Sequence, residues 1–156
     1  MHFLPPPPAG SLRKRGAQDQ ALGRSRGGLT TKIHMLADAL GRPLRFIVTA
    51  GQAGDAPQAA ALLEGQPGQA VLADKAYDSG ALRATIAGMN AAAVIPSNRC
   101  RKIVIPHDVD TYKHRNRIER CFSRLKHFRR FATRYDRRTI HFTGFVHLAG
   151  AMIWLK

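Results

Sequence analysis

Gln69-Ala70-Val71-Leu72-Ala73-Asp74 follows the breaks at Gly65, Pro67 and Gly68 and ends a short apolar run in a carboxylate. A run of this kind, bounded by turn residues, reads as a buried central strand. Ser79 then supplies an N-cap for a helix running through Met89, and residues 91–95 give a second short apolar strand stopped by Pro96. Strands alternating with helices imply an α/β layer architecture rather than a helical bundle.

Upstream of that unit, extended runs at 29–37 and 43–49 flank 38–42, where Gly41 and Pro43 provide turn chemistry, so a hairpin is expected. Asp55 is placed to cap a short helix containing 59–63, with Pro57 in its first turn. Downstream, residues 111–131 contain no Gly or Pro and predict one helix. On it Ile118, Cys121, Phe122 and Leu125 form an apolar stripe at helical spacing. At about 100° per residue, Tyr112, Arg115, Glu119 and Lys126 fall together beside that stripe. The apolar stretch 140–155, with Thr139 as N-cap, reads as a buried closing helix and is shorter than the roughly 20 residues needed to cross a bilayer. Residues 1–28, with a polyproline run at Pro5–Pro8 and the basic Gly23-Arg24-Ser25-Arg26-Gly27-Gly28, read as a flexible arm, leaving 29–156 as the folded domain.

The chain has 156 residues, and 25 Lys and Arg against 10 Asp and Glu give a net charge of +15. Residues 1–32 carry six basic and one acidic group, 33–98 four and five, and 99–138 fourteen and four. The middle therefore reads as core, and the basic flanks suit a polyanion such as DNA, bound through phosphate neutralisation. A basic ribosomal or nucleoid protein would explain the same charge. Cys100 and Cys121 make no CxxC pair or zinc pattern, and no apolar segment follows Met1 as in a signal peptide, so a reduced, cytoplasmic setting without membrane contact is expected.

Asp74 and Glu119 are the candidate chemistry. A carboxylate at the C-terminal end of a buried strand points to the crevice where open α/β sheets bind ligands. Glu119, on the border of a packed stripe, is read as reaching the same crevice. Carboxylates so placed suit Mg²⁺, and paired ions about 4 Å apart activate one oxygen and stabilise another in phosphodiester chemistry. The plainer readings are Asp74 as a turn cap and Glu119 as an ion-pair partner of Arg115.

Tyr112, Arg115, Glu119 and Lys126 spell Y-x2-R-x3-E-x6-K, which resembles the glutamate-bearing signature of DDE transposases of bacterial insertion sequences. Asp74 in Leu72-Ala73-Asp74-Lys75-Ala76-Tyr77-Asp78 resembles the same group's second-aspartate motif, A-D-K-G-Y, with Ala76 where Gly is usual. The stretches 23–34, 117–126 and 132–136 agree, and the similarity, to the IS-five-like branch, runs from about residue 20 to the C-terminus. The resemblance implies a ribonuclease-H-like α/β fold, a Mg²⁺ or Mn²⁺ requirement with a two-metal site in the complete enzyme, and cleavage and joining of DNA at transposon ends and target. It makes Asp74 and Glu119 the catalytic metal ligands. Arg115 and Lys126 then contact DNA phosphates or hold the acidic site, and Tyr112 supports it. Arg129, Arg130, Arg134, Arg137 and Arg138, with Arg24 and Arg26 in the arm, are read as gripping DNA.

The family's first catalytic aspartate, carried on the first strand, has no match. The substitutes are Asp19 in the arm, Asp38 in the hairpin turn and Asp55 at a helix start. Loss of that strand predicts an unpaired edge on 29–37. A downstream reading frame joined to an upstream fragment, a misplaced start and a decayed copy each explain the gap. The expected partners besides DNA are a second copy or that upstream fragment. The alternative to an active enzyme is an inactive DNA-binding remnant. His34 is read as a core or surface histidine before a site residue, and Phe145 and Trp154 as core.

Overall fold

In the computed structural model, which describes residues 2–4, 21–25 and 28–155, the chain forms β1 (His2–Leu4), β2 (Gly23–Ser25), β3 (Gly28–Ala37) and β4 (Pro43–Ala50). These are followed by α1 (Ala56–Leu63), β5 (Ala70–Leu72), α2 (Gly80–Gly88), β6 (Ala92–Val94), α3 (Val109–Tyr112), α4 (Asn116–Lys126), α5 (Arg129–Ala132) and α6 (Thr139–Trp154). The result is a mixed α/β chain, as the alternation of strands and helices implied. It divides into two compact units, Met1–Ala53 with Ile118–Lys156, and Gly54–Arg117.

The first unit is built on the expected hairpin. Asp38 accepts hydrogen bonds from the Leu40 and Arg42 amides at 2.9 and 2.8 Å, and Gly41 turns the chain at φ 78°, a conformation that costs glycine nothing. β3 and β4 pair antiparallel with Ile33 opposite Val48 and Met35 opposite Phe46. Side chains alternate across a strand, so Ile33 and Met35 share a face with Phe46 and Val48. That face packs with Cys121, Phe122 and Leu125 of α4, Phe131, and Phe142, Val146, Ala149 and Ile153 of α6. Gly150 permits the closest approach, since a Cβ there would meet the Phe46 ring at 2.7 Å.

Four expectations change in this unit. The outer edge predicted for residues 29–37 is occupied: β1 pairs with Thr31–Ile33 and β2 with Gly28–Thr30, both antiparallel. Within 1–28 the described residues His2–Leu4 and Gly23–Ser25 are therefore strands, Ala21 and Leu22 are buried ahead of β2, Gly28 opens β3, and the remainder of the arm reading lies outside the described residues. α6 buries one face only, with Ile140, Leu148, Met152, Trp154 and Leu155 exposed, because a helix apolar on all sides meets a sheet on one. Its N-cap is Arg138, and Thr139 is its first residue.

The second unit holds β5 and β6 as a parallel pair, Ala70 opposite Ala92 and Leu72 opposite Val94. β5 is partly exposed rather than buried, since among the described residues only β6 pairs with it. Its core is Ala59, Leu62 and Leu63 of α1, Leu82 and Ile86 of α2, and Val94 and Ile95. Ser79 caps α2 as expected, accepting from the Leu82 amide at 3.2 Å. Asp55 occupies the N-cap position of α1 without a side-chain capping bond.

The single helix expected over 111–131 is broken. α3 gives way to a 3₁₀ turn at Lys113–Arg115, α4 follows, and the chain breaks again before α5. A 3₁₀ turn takes three residues per turn instead of 3.6, so the common face calculated for Tyr112, Arg115, Glu119 and Lys126 does not carry through it.

Candidate functional site

Asp74 stands directly after β5, where the Ala73 amide extends the pairing to the Val94 carbonyl at 3.4 Å. Its backbone is still extended, and Oδ1 accepts from the Ala76 amide at 2.8 Å, capping the 3₁₀ turn Lys75–Tyr77. The turn-cap reading is realised, and it uses one oxygen: Oδ2 takes no hydrogen bond from a described residue. Asp74 is partly exposed.

Three residues on, the Tyr77 phenol is pushed up to about 12, first by burial and then by the negative charges of Asp55 and Asp74. Asp55 and Asp74 thus act on one hydroxyl. Asp78, which sequence reasoning passed over, is the best-anchored carboxylate of the unit. Its side chain is fully enclosed and accepts from Arg83 Nε at 2.7 Å, the Asn98 amide at 2.8 Å, and Arg101 Nε and Nη2 at 2.8 and 2.9 Å. The hydrogen-bonded Arg101 guanidinium leads in holding it well below the usual carboxylate range, and burial opposes this without winning. Arg83 continues to the Ile95 carbonyl at 2.7 Å, so Asp78 ties α2 to the loop after β6. The sequence signal for this was a second Asp four residues after Asp74 with an arginine five beyond it.

Tyr112 ends α3, whose start is capped by Asp108 through the Asp110 and Thr111 amides at 2.9 and 3.0 Å. The Arg115 guanidinium lies 5.7 Å from the Tyr112 ring centre, and His107 meets the same ring edge-on at 5.3 Å. The structure therefore brings Tyr112 and Arg115 together as a cation–π pair. Glu119 is exposed in the first turn of α4, and Lys126 is exposed in its last. Asp74, Tyr112 and Arg115 belong to the second unit, and Glu119 and Lys126 to the first.

The basic residues divide sharply. Arg24, Arg129, Arg130, Arg137 and Arg138 are exposed, and Arg26 lies outside the described residues. Arg134 is fully buried, which corrects its reading as a DNA-gripping side chain. It donates to the carbonyls of Ala21, Asp136 and Arg137 and to the hydroxyls of Thr31 and Thr139, at 2.5 to 3.4 Å, and its guanidinium lies 5.2 Å from the Phe142 ring centre. The stretch around β3 is likewise structural. Thr31 Oγ1 donates to the Ala21 carbonyl at 2.8 Å, Lys32 Nζ to the Ala53 carbonyl, and buried His34 bonds Thr49 Oγ1 at 2.8 Å through Nε2.

Neither described substitute for the missing aspartate forms an acidic cluster of three: among the described residues no group of three or more His, Cys, Asp and Glu side chains is placed to hold a metal ion. Asp38 is committed to the turn, bonded by Arg42 at 2.7 and 2.8 Å, and Arg42 keeps its carboxyl below the ordinary value although burial works the other way. Asp19 lies outside the described residues. No described helix is long and apolar enough to cross a membrane.

Residues 8–154 match the family described as Transposase DDE domain. The chain is 48% identical over 130 residues to a Brucella ovis protein assigned as transposase of insertion sequence element IS6501, a match covering 82% of this chain and all of that relative. It is 31% identical over 142 residues to a Burkholderia cepacia protein assigned likewise to element IS402, covering 83% of this chain and 64% of that one. No solved structure matches it. A match across nearly the whole chain, with both signature motifs inside it, makes this chain a member of the transposase DDE domain family.

Proposed function

We propose that the chain is the catalytic region of a DNA transposase, performing metal-dependent phosphodiester hydrolysis and strand transfer at insertion-sequence ends within a ribonuclease-H-like arrangement. One observation carries this: Asp74, in a stretch that resembles the family's second-aspartate motif as Glu119's resembles its glutamate signature, follows the parallel pair with Oδ2 taking no hydrogen bond from a described residue. Both side chains are hard oxygen donors. Mg²⁺ is typically bound by one or two carboxylates plus waters and substrate phosphates, so each is the kind of ligand it takes, and Mn²⁺ shares the preference for oxygen ligands. When bound, the divalent cation activates the attacking oxygen and steadies the leaving one.

The chain's own groups do the rest. Asp74 is aimed by its cap to the Ala76 amide, so one oxygen is fixed while the other is left for a ligand. Tyr77 stays protonated throughout the neutral range and is therefore a hydrogen-bond donor beside the Asp74 charge. Arg115 is held against Tyr112, which pre-sets a guanidinium for phosphate at low entropic cost. Exposed Lys126, Arg129, Arg130 and Arg24 add phosphate contacts. The free thiols Cys100 and Cys121 accord with a reducing, cytoplasmic setting.

The test is nicking of plasmid carrying the element's ends. With Mn²⁺ the wild type nicks, and Asp74→Asn and Glu119→Gln abolish nicking while DNA affinity stays within about twofold, since neither acid neutralises a phosphate. Nicking retained in either variant contradicts the assignment. A wild type that binds without nicking is the inactive remnant instead.

A further inference from the structure

Residues 96–108, after β6, form a loop with an unusual tip. Ile103 is 78% exposed and Val104 73%, in a loop tied down at Ser97, Asn98, Arg101 and Ile105 on either side of them. Ser97 Oγ donates to the Ile105 carbonyl at 3.1 Å and accepts from the Ile105 amide at 2.9 Å, closing the loop across its base. Asp78 holds it from beneath through the Asn98 amide and both nitrogens of Arg101. Two branched aliphatic side chains are thus presented to solvent on a fixed backbone. Their burial on binding is favourable, at about 25 cal/mol per Å² of apolar surface, and the loop bears little further ordering cost.

The flanking charge says what covers them. Arg99 and Lys102 are exposed and make no hydrogen bond or ion pair with a described residue. No acidic residue lies between Arg99 and His107. An apolar tip between uncommitted cations on a chain of net charge +15 fits a polyanion with an apolar interior, which is duplex DNA with its stacked bases. Proteins bend or open duplexes by inserting aliphatic wedges between base steps, paying for unstacking with added backbone contacts.

We infer that Ile103 and Val104 form a wedge that enters the DNA base stack while Arg99 and Lys102 hold the adjoining phosphates. This rests on the DNA-acting role proposed above. The probe is a duplex with 2-aminopurine at TA steps, which unstack most readily, titrated with the full chain. Wild-type protein raises the fluorescence as bases unstack. In Ile103→Ser with Val104→Ser the rise is lost and affinity falls about tenfold with an unchanged salt slope. In Arg99→Gln with Lys102→Gln affinity and salt slope both fall but the rise returns at saturation. The tip is exposed, so unchanged melting checks that both variants fold.

A tip variant with the wild-type fluorescence rise overturns the wedge and leaves DNA binding standing. The same rise together with loss of self-association by light scattering overturns it in favour of a contact to a second copy. No binding of the duplex by wild type overturns the DNA-acting role itself, and the wedge with it.

Discussion

Arg134 in the first unit and Asp78 in the second are both charges taken out of water, and the two regions satisfy them by opposite means. Arg134 is ringed by neutral oxygens, three carbonyls and two hydroxyls, with the Asp136 charge acting from outside hydrogen-bond range. Asp78 is ringed by two guanidinium groups and one amide. A guanidinium carries five donors in a plane and can join segments far apart in sequence, here Ala21, Thr31 and the start of α6. A carboxylate carries two oxygens and draws long basic side chains to itself, here fixing a loop. The first unit thus uses its buried charge to close a core, and the second uses its own to hold a surface.

The largest effect that breaks this comparison is expected at Arg134. Arg134→Ala leaves a cavity and strands buried carbonyls, costing about 4 kcal/mol by urea melting. Hydrogen exchange should rise through β3 and α6. If Arg134 were a surface DNA contact, the same variant would melt like wild type and lose affinity only.

Asp78→Asn comes next. It should lower amide protection across residues 96–105, and in α2 around Arg83, by roughly ten- to a hundredfold while β3 is unaffected, because the loop and Arg83 of α2 are what it holds. The pH dependence sharpens the contrast. Asp78 has its pKa lowered on folding, so its contribution is complete above the unfolded carboxylate value of about 4 and is lost as the pH falls toward the folded one. Arg134 stays charged across that range. Acidification should therefore loosen the loop first, followed by exchange or by loop-specific proteolysis, and equal loosening of both regions would refute the distinction.

The smallest stability effects belong to the proposed catalytic residues. Asp74→Asn keeps a side-chain oxygen for the Ala76 amide, and Glu119 is exposed, so each variant should melt within about 0.5 kcal/mol of wild type. Their effect is expected on nicking alone.

Local chemistry made several elements readable. Asp38, Gly41 and Pro43 announce the hairpin, Ser79 announces α2, and the abrupt stop at Asp74 marks the end of a strand. What could not be read depends on partners distant in sequence. Arg134 sits in a run of arginines that looks solvated, and only contacts with Ala21 and Thr31, 113 and 103 residues away, bury it. The strand at His2–Leu4 abuts a polyproline run and is defined by its pairing with β3. The 3₁₀ turn at Lys113–Arg115 lacks the Gly or Pro that flags a break. At the site, Asp74 and Glu119 were legible as motif positions. The Asp55 and Asp74 pairing on Tyr77 was not, since it is set by the packing of the second unit.

The central claim, that Asp74 and Glu119 are ligands of a divalent cation, is tested most directly by replacing Mg²⁺ with Fe²⁺ and generating hydroxyl radicals with ascorbate and peroxide, which cut the backbone beside the bound ion. The account predicts cuts next to Asp74 and next to Glu119 in the DNA-bound wild type, the first lost in Asp74→Asn, the second in Glu119→Gln, and both suppressed by excess Mg²⁺. Cuts confined to other acidic residues, or unchanged in these variants, would contradict it.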